Sequence, residues 1–190
     1  MKYNCLYVDV PWGYDNQKTG GSFQSGAKSK YKVMTTQEVC DMAPDIKSIS
    51  DKDSVLFMWG TVPMLPEALL VIEAWGFKYK TKITWHKIGR LGLGYWFRGE
   101  VEELFVATRG SFKALRCQER NHIEHPVLKH SEKPEVFRQL IDKAVSNIKG
   151  VRKIELFSRN VVPGWTCIGD HVDGKDIHVR LKEIAEDALS

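Results

Sequence analysis

The chain has 190 residues, 43% hydrophobic and 27% charged, which is enough apolar material for one sizeable core in one domain over residues 1–190. A formal net charge of +4 permits an anionic partner without demanding one. Four scattered cysteines with no CxxC pair, no signal-like start and no apolar run of about 18 residues argue against a disulfide-stapled secreted protein or a membrane span, and for a cytoplasmic one.

Leu6, Tyr7 and Val8 form a short β-prone run that stops at Asp9 and is followed by Val10, Pro11 and Trp12. In open α/β sheets ligands sit outside the carboxyl ends of strands, so Asp9 would stand at a binding edge. Pro11 would fix φ in the turn, and Trp12 would offer a flat face. The same residues also describe a strand, a tight turn and a core tryptophan. Residues 13–31 are rich in Gly, Ser and Lys and have no apolar period, which predicts a long loop. Within it, GSFQSGAKS approaches a phosphate-binding loop, but Ala27 separates Gly26 from Lys28 and breaks that pattern.

Thr35 to Glu38 reads as a capping box opening a helix through Val39, Met42, Ala43 and Ile46, complicated by Pro44. Val55 to Trp59 is a buried strand, and Pro63 to Trp75 a helix closed by Gly76. Phe77 to Trp85 alternates as a strand. Residues 88–99 form a glycine-rich loop with two arginines and two aromatics, and Val101 to Thr108 is a further strand. Residues 111–130 are polar and basic. A helix from Pro134 to about Ile148 ends before Gly150. Val151–Phe157 and Trp165–Ile168 are strands, and a last amphipathic helix covers about Asp176 to Leu189. Strands alternating with helices predict an α/β fold with a mostly parallel sheet covered on both faces.

Asp9-Val10-Pro11-Trp12 resembles the DPPW motif of the adenine N-6 methyltransferases related to the catalytic subunit of the messenger-RNA adenosine methyltransferase, the MT-A70 family. Further blocks follow in the family's order. Met58-Trp59 with Thr61 looks like its second strand, and Trp85-His86-Lys87 like its WxK strand end. Gly94 to Gly110 matches a GxxxR…E.L…RG block, His130 to Pro134 matches HSxKP, Glu155 to Arg159 matches ELFxR, and Gly164-Trp165 with Gly169-Asp170 matches GW…GN/D. The resemblance covers about residues 3–174.

It implies a class I, Rossmann-like S-adenosylmethionine-dependent methyltransferase, circularly permuted, with the catalytic motif first and the cofactor half last. By resemblance Asp9, Val10, Pro11 and Trp12 are catalytic. The Asp9 carboxylate and the Val10 carbonyl would accept the two hydrogens of the adenine amine while Trp12 stacks on the base. Asp9, Lys133, Arg159, Asn160, Asp170 and His171 would hold the cofactor. Lys133 would take its methionine carboxylate and Asp170 its ribose hydroxyls.

Lys18, Lys28, Lys30, Lys32, Lys87, Arg90 and Arg98 would meet nucleic-acid phosphates. Cys117, His122, His125 and His130 suggest zinc by type but fit no standard spacing, so no metal is expected. The sequence departs from the family at Val10, where the family has proline. The resemblance also leads to the expectation of a minimal form, without the segment that precedes the catalytic strand in larger members and without a separate target-recognition domain. DNA is the expected substrate and RNA the alternative, with a homodimer or heterodimer compatible with so small a domain. A catalytically silent scaffold partner is the reading from a different class.

Overall fold

The apolar run near the start of the chain becomes the middle of the sheet. The computed structural model describes residues 2–13, 33–92, 94, 96–113, 115, 117–128 and 132–187. The elements in order are β1 (Tyr3–Val8), α1 (Thr36–Asp41), α2 (Ala43–Ile49), β2 (Ser50–Thr61), a 3-10 turn (Val62–Met64) and α3 (Leu65–Ala74). They continue with β3 (Lys78–Ile88), β4 (Val101–Arg109), β5 (His122–Pro126), α4 (Glu135–Val145), β6 (Lys153–Leu156), β7 (Thr166–Ile168), α5 (Asp170–Asp173) and α6 (Ile177–Asp187).

The seven strands form one sheet in the order β5-β3-β4-β2-β1-β6-β7. β1 runs parallel to β2 and β6, β6 to β7, and β3 to β5. β4 alone is reversed, antiparallel to both β2 and β3. Its reversal fits the connection: residues 89–100 join β3 to β4 with no helix among the described residues, as a hairpin between antiparallel neighbours does. The expected mostly parallel sheet is therefore present.

Period-two alternation sorts the strands onto two cores. The register pairs Leu6 with Leu56 and Val8 with Met58, and these residues pack with Phe105, Ile154 and Leu156 against α1, α2, α3 and α6. Tyr7 pairs with Phe57, and together with Cys5, Val55 and Trp59 they pack against Phe137, Ile141 and Val145 of α4. Leaving out either helix layer would expose a complete row of apolar side chains.

The expected capping box is present: Thr35 Oγ1 accepts from Glu38 N at 3.2 Å and Thr35 N donates to Glu38 Oε2 at 2.7 Å. The single expected helix is two. α1 ends at Asp41 and α2 starts at Ala43, with Pro44 in its first turn, where a missing N–H costs nothing. β5 was not expected from a stretch whose side chains are mostly polar. It is an edge strand, with Ile123 packing inward and His122 and Glu124 exposed, and edge strands tolerate a terminal Pro126. Among the described residues, no helix is long and apolar enough to cross a membrane.

The ends of β6 and β7 touch through Ser158 N, which donates to Ile168 O at 2.9 Å. A Cβ on Gly169 would lie 2.4 Å from Ser158 O and 2.8 Å from Ser158 N, so this contact requires glycine for space. Gly169→Ala is therefore expected to destabilise the fold by about 1–3 kcal/mol, read as a lower urea midpoint at unchanged slope. A variant as stable as the parent would contradict this close approach.

Candidate active site

Asp9 follows the last residue of β1, and the backbone after it is pinned from two sides. Trp12 N donates to Val10 O at 2.9 Å, closing a tight turn. Met34 N donates to Pro11 O and Gly13 N to Met34 O, both at 2.9 Å, so the segment entering α1 holds the turn in place. Trp12 is only 6% exposed, and its indole Nε1 donates to Trp59 O at 3.1 Å. Trp59 Nε1 in turn donates to the Tyr7 hydroxyl at 2.7 Å. Burial pushes the Tyr7 phenol well above its ordinary range, so it remains a neutral acceptor. Trp12 is therefore a core residue that also lines the cavity in front of Asp9.

Charge at this edge is arranged as a chain. Lys133 Nζ donates to both Asp9 oxygens, at 2.8 and 3.0 Å, and lies 3.5 Å from Glu102 Oε2. Lys87 Nζ donates to Glu102 Oε1. The Lys133 ammonium also lies 5.3 Å from the centroid of the Trp59 ring, a cation–π contact. Two carboxylates and two ammonium groups thus alternate and balance. Burial alone would raise the Glu102 carboxyl, but Lys133 and then Lys87 outweigh it and hold it below its ordinary value. Burial would likewise lower Lys133, but Asp9 and then Glu102 outweigh it and hold the ammonium above its ordinary value.

A cavity of ≈ 440 Å³ opens in front of this chain, with Asp9, Trp12, Lys133, Arg159, Asp170 and His171 among its lining residues. Phe157, at the end of β6, adopts φ 61°, a left-handed conformation uncommon for a bulky residue. Ser158 Oγ then donates to Asn160 O at 2.8 Å. Asn160 lines a neighbouring cavity of ≈ 260 Å³ that shares Asp9, Lys133 and Arg159 with the first.

The sequence matches the MT-A70 family over residues 3–171, from β1 to the start of α5. The chain belongs to the MT-A70 family. Its members are adenine N6-methyltransferases. The chain is 29% identical to the type II methyltransferase M.MunI of a Mycoplasma species, over 94% of this chain and 81% of that protein. It is 26% identical to the N(6)-adenosine-methyltransferase MT-A70-like protein of Arabidopsis thaliana, over 90% of this chain and 24% of that one. It is also 26% identical to the N6-methyladenosine RNA methyltransferase MTA1 of Cryphonectria parasitica, over 90% of this chain and 52% of that one. The chain thus spans most of one relative and about half or less of the other two.

Against the expectations for an MT-A70 protein, the structure gathers Asp9, Val10, Pro11, Trp12, Lys133, Arg159, Asp170 and His171 around one cavity. Lys87 differs: it is turned inward onto Glu102 and lies 5.2 Å from the centroid of the Trp85 ring, so its charge is already engaged. Arg90 and Arg98 are exposed on the 89–100 hairpin. Lys18, Lys28, Lys30, Lys32, His130 and Ser131 lie outside the described residues. His122 meets neighbours that chain spacing does not show. Its ring stacks on His86 with centroids 5.9 Å apart, and His86 Nδ1 lies 3.1 Å from Glu124 Oε1.

Sequence reasoning missed Glu102 as a partner of Lys133, and Glu38, Asp176 and His178 as cavity residues. Glu102 stands inside a recognised block, so its type was visible and its direction was not. The other three come from the starts of α1 and α6, where no local pattern marks a cavity wall.

Because the folded value of Glu102 is depressed, its stabilising contribution is present above its ordinary value of 4.5 and fades as pH falls through the folded value. Glu102→Gln is therefore expected to cost about 1–3 kcal/mol at neutral pH. The stability difference from the parent should narrow as pH drops below 4.5. Denaturant titrations across that range check both; a gap independent of pH would remove Glu102 from the charge chain.

Proposed function

We propose that this MT-A70 chain transfers a methyl group from S-adenosylmethionine to N6 of adenine in DNA. The observation that carries the proposal is the Asp9 carboxylate at a strand end, fixed by Lys133 at 2.8 and 3.0 Å on the rim of a ≈ 440 Å³ cavity. The lining fits the cofactor by chemistry. Asp170 can accept ribose hydroxyls, Arg159 can meet a carboxylate, and Trp12, Met34, Phe157 and Ile177 supply apolar surface. The close approach at Gly169 brings the β6 and β7 ends together as one wall of that space. A circularly permuted class I fold accounts for the first strand of the chain lying parallel to the late strand β6.

When bound, S-adenosylmethionine supplies an electrophilic methyl group on a sulfonium. The residues of the chain prepare the acceptor. The adenine amine is a weak nucleophile because its lone pair is delocalised into the ring. Asp9 accepts one N–H and draws the nitrogen toward a tetrahedral shape. The Val10 carbonyl already takes the Trp12 N–H and has a second lone pair for the other amine hydrogen. As positive charge develops on nitrogen, the fixed Asp9 carboxylate stabilises it without having to reorganise. Lys133 spends its donors on Asp9 and Glu102, so it positions Asp9. A methionine carboxylate at Lys133 would compete with Asp9, which leaves Arg159 as the other candidate cation lining the cavity.

The DNA reading rests on similarity to a type II methyltransferase across most of its length. RNA is the second reading, favoured by similarity to an RNA methyltransferase of which the chain covers 52%. Either substrate must present its adenine outside a duplex stack.

Transfer of labelled methyl to matched single- and double-stranded DNA and RNA tests the substrate, with label expected in DNA as N6-methyladenine. Label confined to RNA would overturn that choice, and a protein giving no heat on titration with S-adenosylmethionine would be a scaffold. Asp9→Asn is expected to keep cofactor binding and lose about 10²-fold or more in methyl transfer. Full activity in that variant would remove Asp9 from the chemistry.

A further inference from the structure

The hairpin between β3 and β4 carries side chains that the methyl-transfer chemistry does not use. Trp96 and Phe97, at its tip, are 99% and 84% exposed. Two adjacent large rings held in water gain nothing for the fold, since their burial would be strongly favourable. The described residues at its neck and tip are nevertheless held by backbone bonds. Gly92 N donates to Gly99 O at 2.8 Å and Gly99 N to Gly92 O at 3.3 Å, so two backbone bonds clamp its neck. Lys87 N donates to Glu100 O at 2.7 Å below them. Gly94 has φ 56°, and a Cβ there would meet Phe97 O at 2.1 Å. Trp96 itself adopts φ 65°, a conformation that non-glycine residues rarely adopt and that clusters at functional sites.

The hairpin also stands in a suitable place. β4 runs against β1 and β2, so the link from the end of β3 to the start of β4 leaves the sheet at the edge where Asp9 sits. Glu102, just beyond the hairpin, lines the same cavity as Asp9. β3 lies three strand spacings from β1, so the hairpin is rooted about 14 Å to the side of Asp9. Arg98 follows the two rings in the chain, Arg90 precedes the Gly92–Gly99 neck, and both are exposed. Unlike Lys133, Lys87 and Arg138, neither makes an ion pair with a described residue.

We propose that Trp96 and Phe97 form a base-stacking subsite for nucleobases flanking the adenine received at Asp9, with Arg90 and Arg98 holding the adjoining phosphates. Flat π faces on the same hairpin as exposed guanidinium groups that make no ion pair with a described residue suit a single or locally opened strand, because stacking serves any base and the cations serve its backbone. The inference rests on the methyltransferase reading and adds to it the group that keeps the strand in place while its adenine is out of the stack.

The test titrates a fluorescently labelled single-stranded DNA of mixed sequence into the full chain, at several salt concentrations and with S-adenosylmethionine present. Trp96→Ala is expected to weaken binding about 5- to 100-fold with an unchanged slope of log affinity against log salt. Trp96→Phe should restore most of that loss. Arg98→Gln should instead lower the salt slope by about 0.7, the value for one phosphate contact on a single strand. Cofactor affinity should be the same in all of these variants.

If the parent chain methylates DNA and the Trp96→Ala, Phe97→Ala double variant still binds it with parental affinity, the subsite is overturned. A change confined to self-association, read by sedimentation, would overturn it in favour of a protein interface. A parent chain that binds the cofactor but methylates no nucleic acid would fail the underlying reading instead, a separate outcome.

Discussion

The ion pair between Lys133 and Asp9 joins residues 124 positions apart in the chain. It ties the end of β1 to the segment that starts α4, and through Glu102 it reaches β4 as well. An aspartate at the end of a buried strand would otherwise carry an uncompensated charge beside apolar layers, a costly arrangement. Alternation of Asp9, Lys133, Glu102 and Lys87 offsets that cost and leaves the Asp9 carboxylate oriented. Stability and geometry coincide at this point, because the partner that makes Asp9 tolerable also fixes the direction of its oxygens.

Beneath the charges lies a relay of buried polar groups. Trp12 donates to the Trp59 backbone, and the Trp59 indole to Tyr7. These three residues come from the turn after β1, from β2 and from β1 itself. The Trp12 indole N–H would be unsatisfied if the turn moved, and the Trp59 indole and Tyr7 hydroxyl fix the strands beneath it. The relay supplies rigidity at the position where the MT-A70 motif has proline and this chain has Val10. The Val10 carbonyl is held by Trp12 N, and the neighbouring Pro11 carbonyl by Met34 N, so hydrogen bonds replace part of the constraint a second ring would give.

The legible parts of the fold share one property: the signal was local. The Thr35–Glu38 capping box, the alternation of β1 and β2, Gly76 after α3 and the amphipathic α4 each express their own structure within a few residues. What escaped depended on neighbours distant in sequence. β5 is polar on its open face and becomes a strand because β3 offers it an edge. Lys87 resembles a phosphate-binding cation until Glu102 faces it across the strand pair. Trp12 could be a stacking face or a core residue, and the Trp59 carbonyl placed its ring edge in the core.

By itself the sequence determined the strand that ends in Asp9, the order of the motif blocks and the kinds of side chain available for chemistry. Hydrophobic period and motif order are properties of the chain as written. Only the tertiary structure decided which charges meet. It set Lys133 against Asp9 rather than leaving both for ligands, turned Lys87 inward, and left Trp96 and Phe97 in water beside Arg90 and Arg98. The reason is physical: electrostatic and stacking partners are set by distance in space. In a sheet ordered β5-β3-β4-β2-β1-β6-β7, that distance bears little relation to separation along the chain.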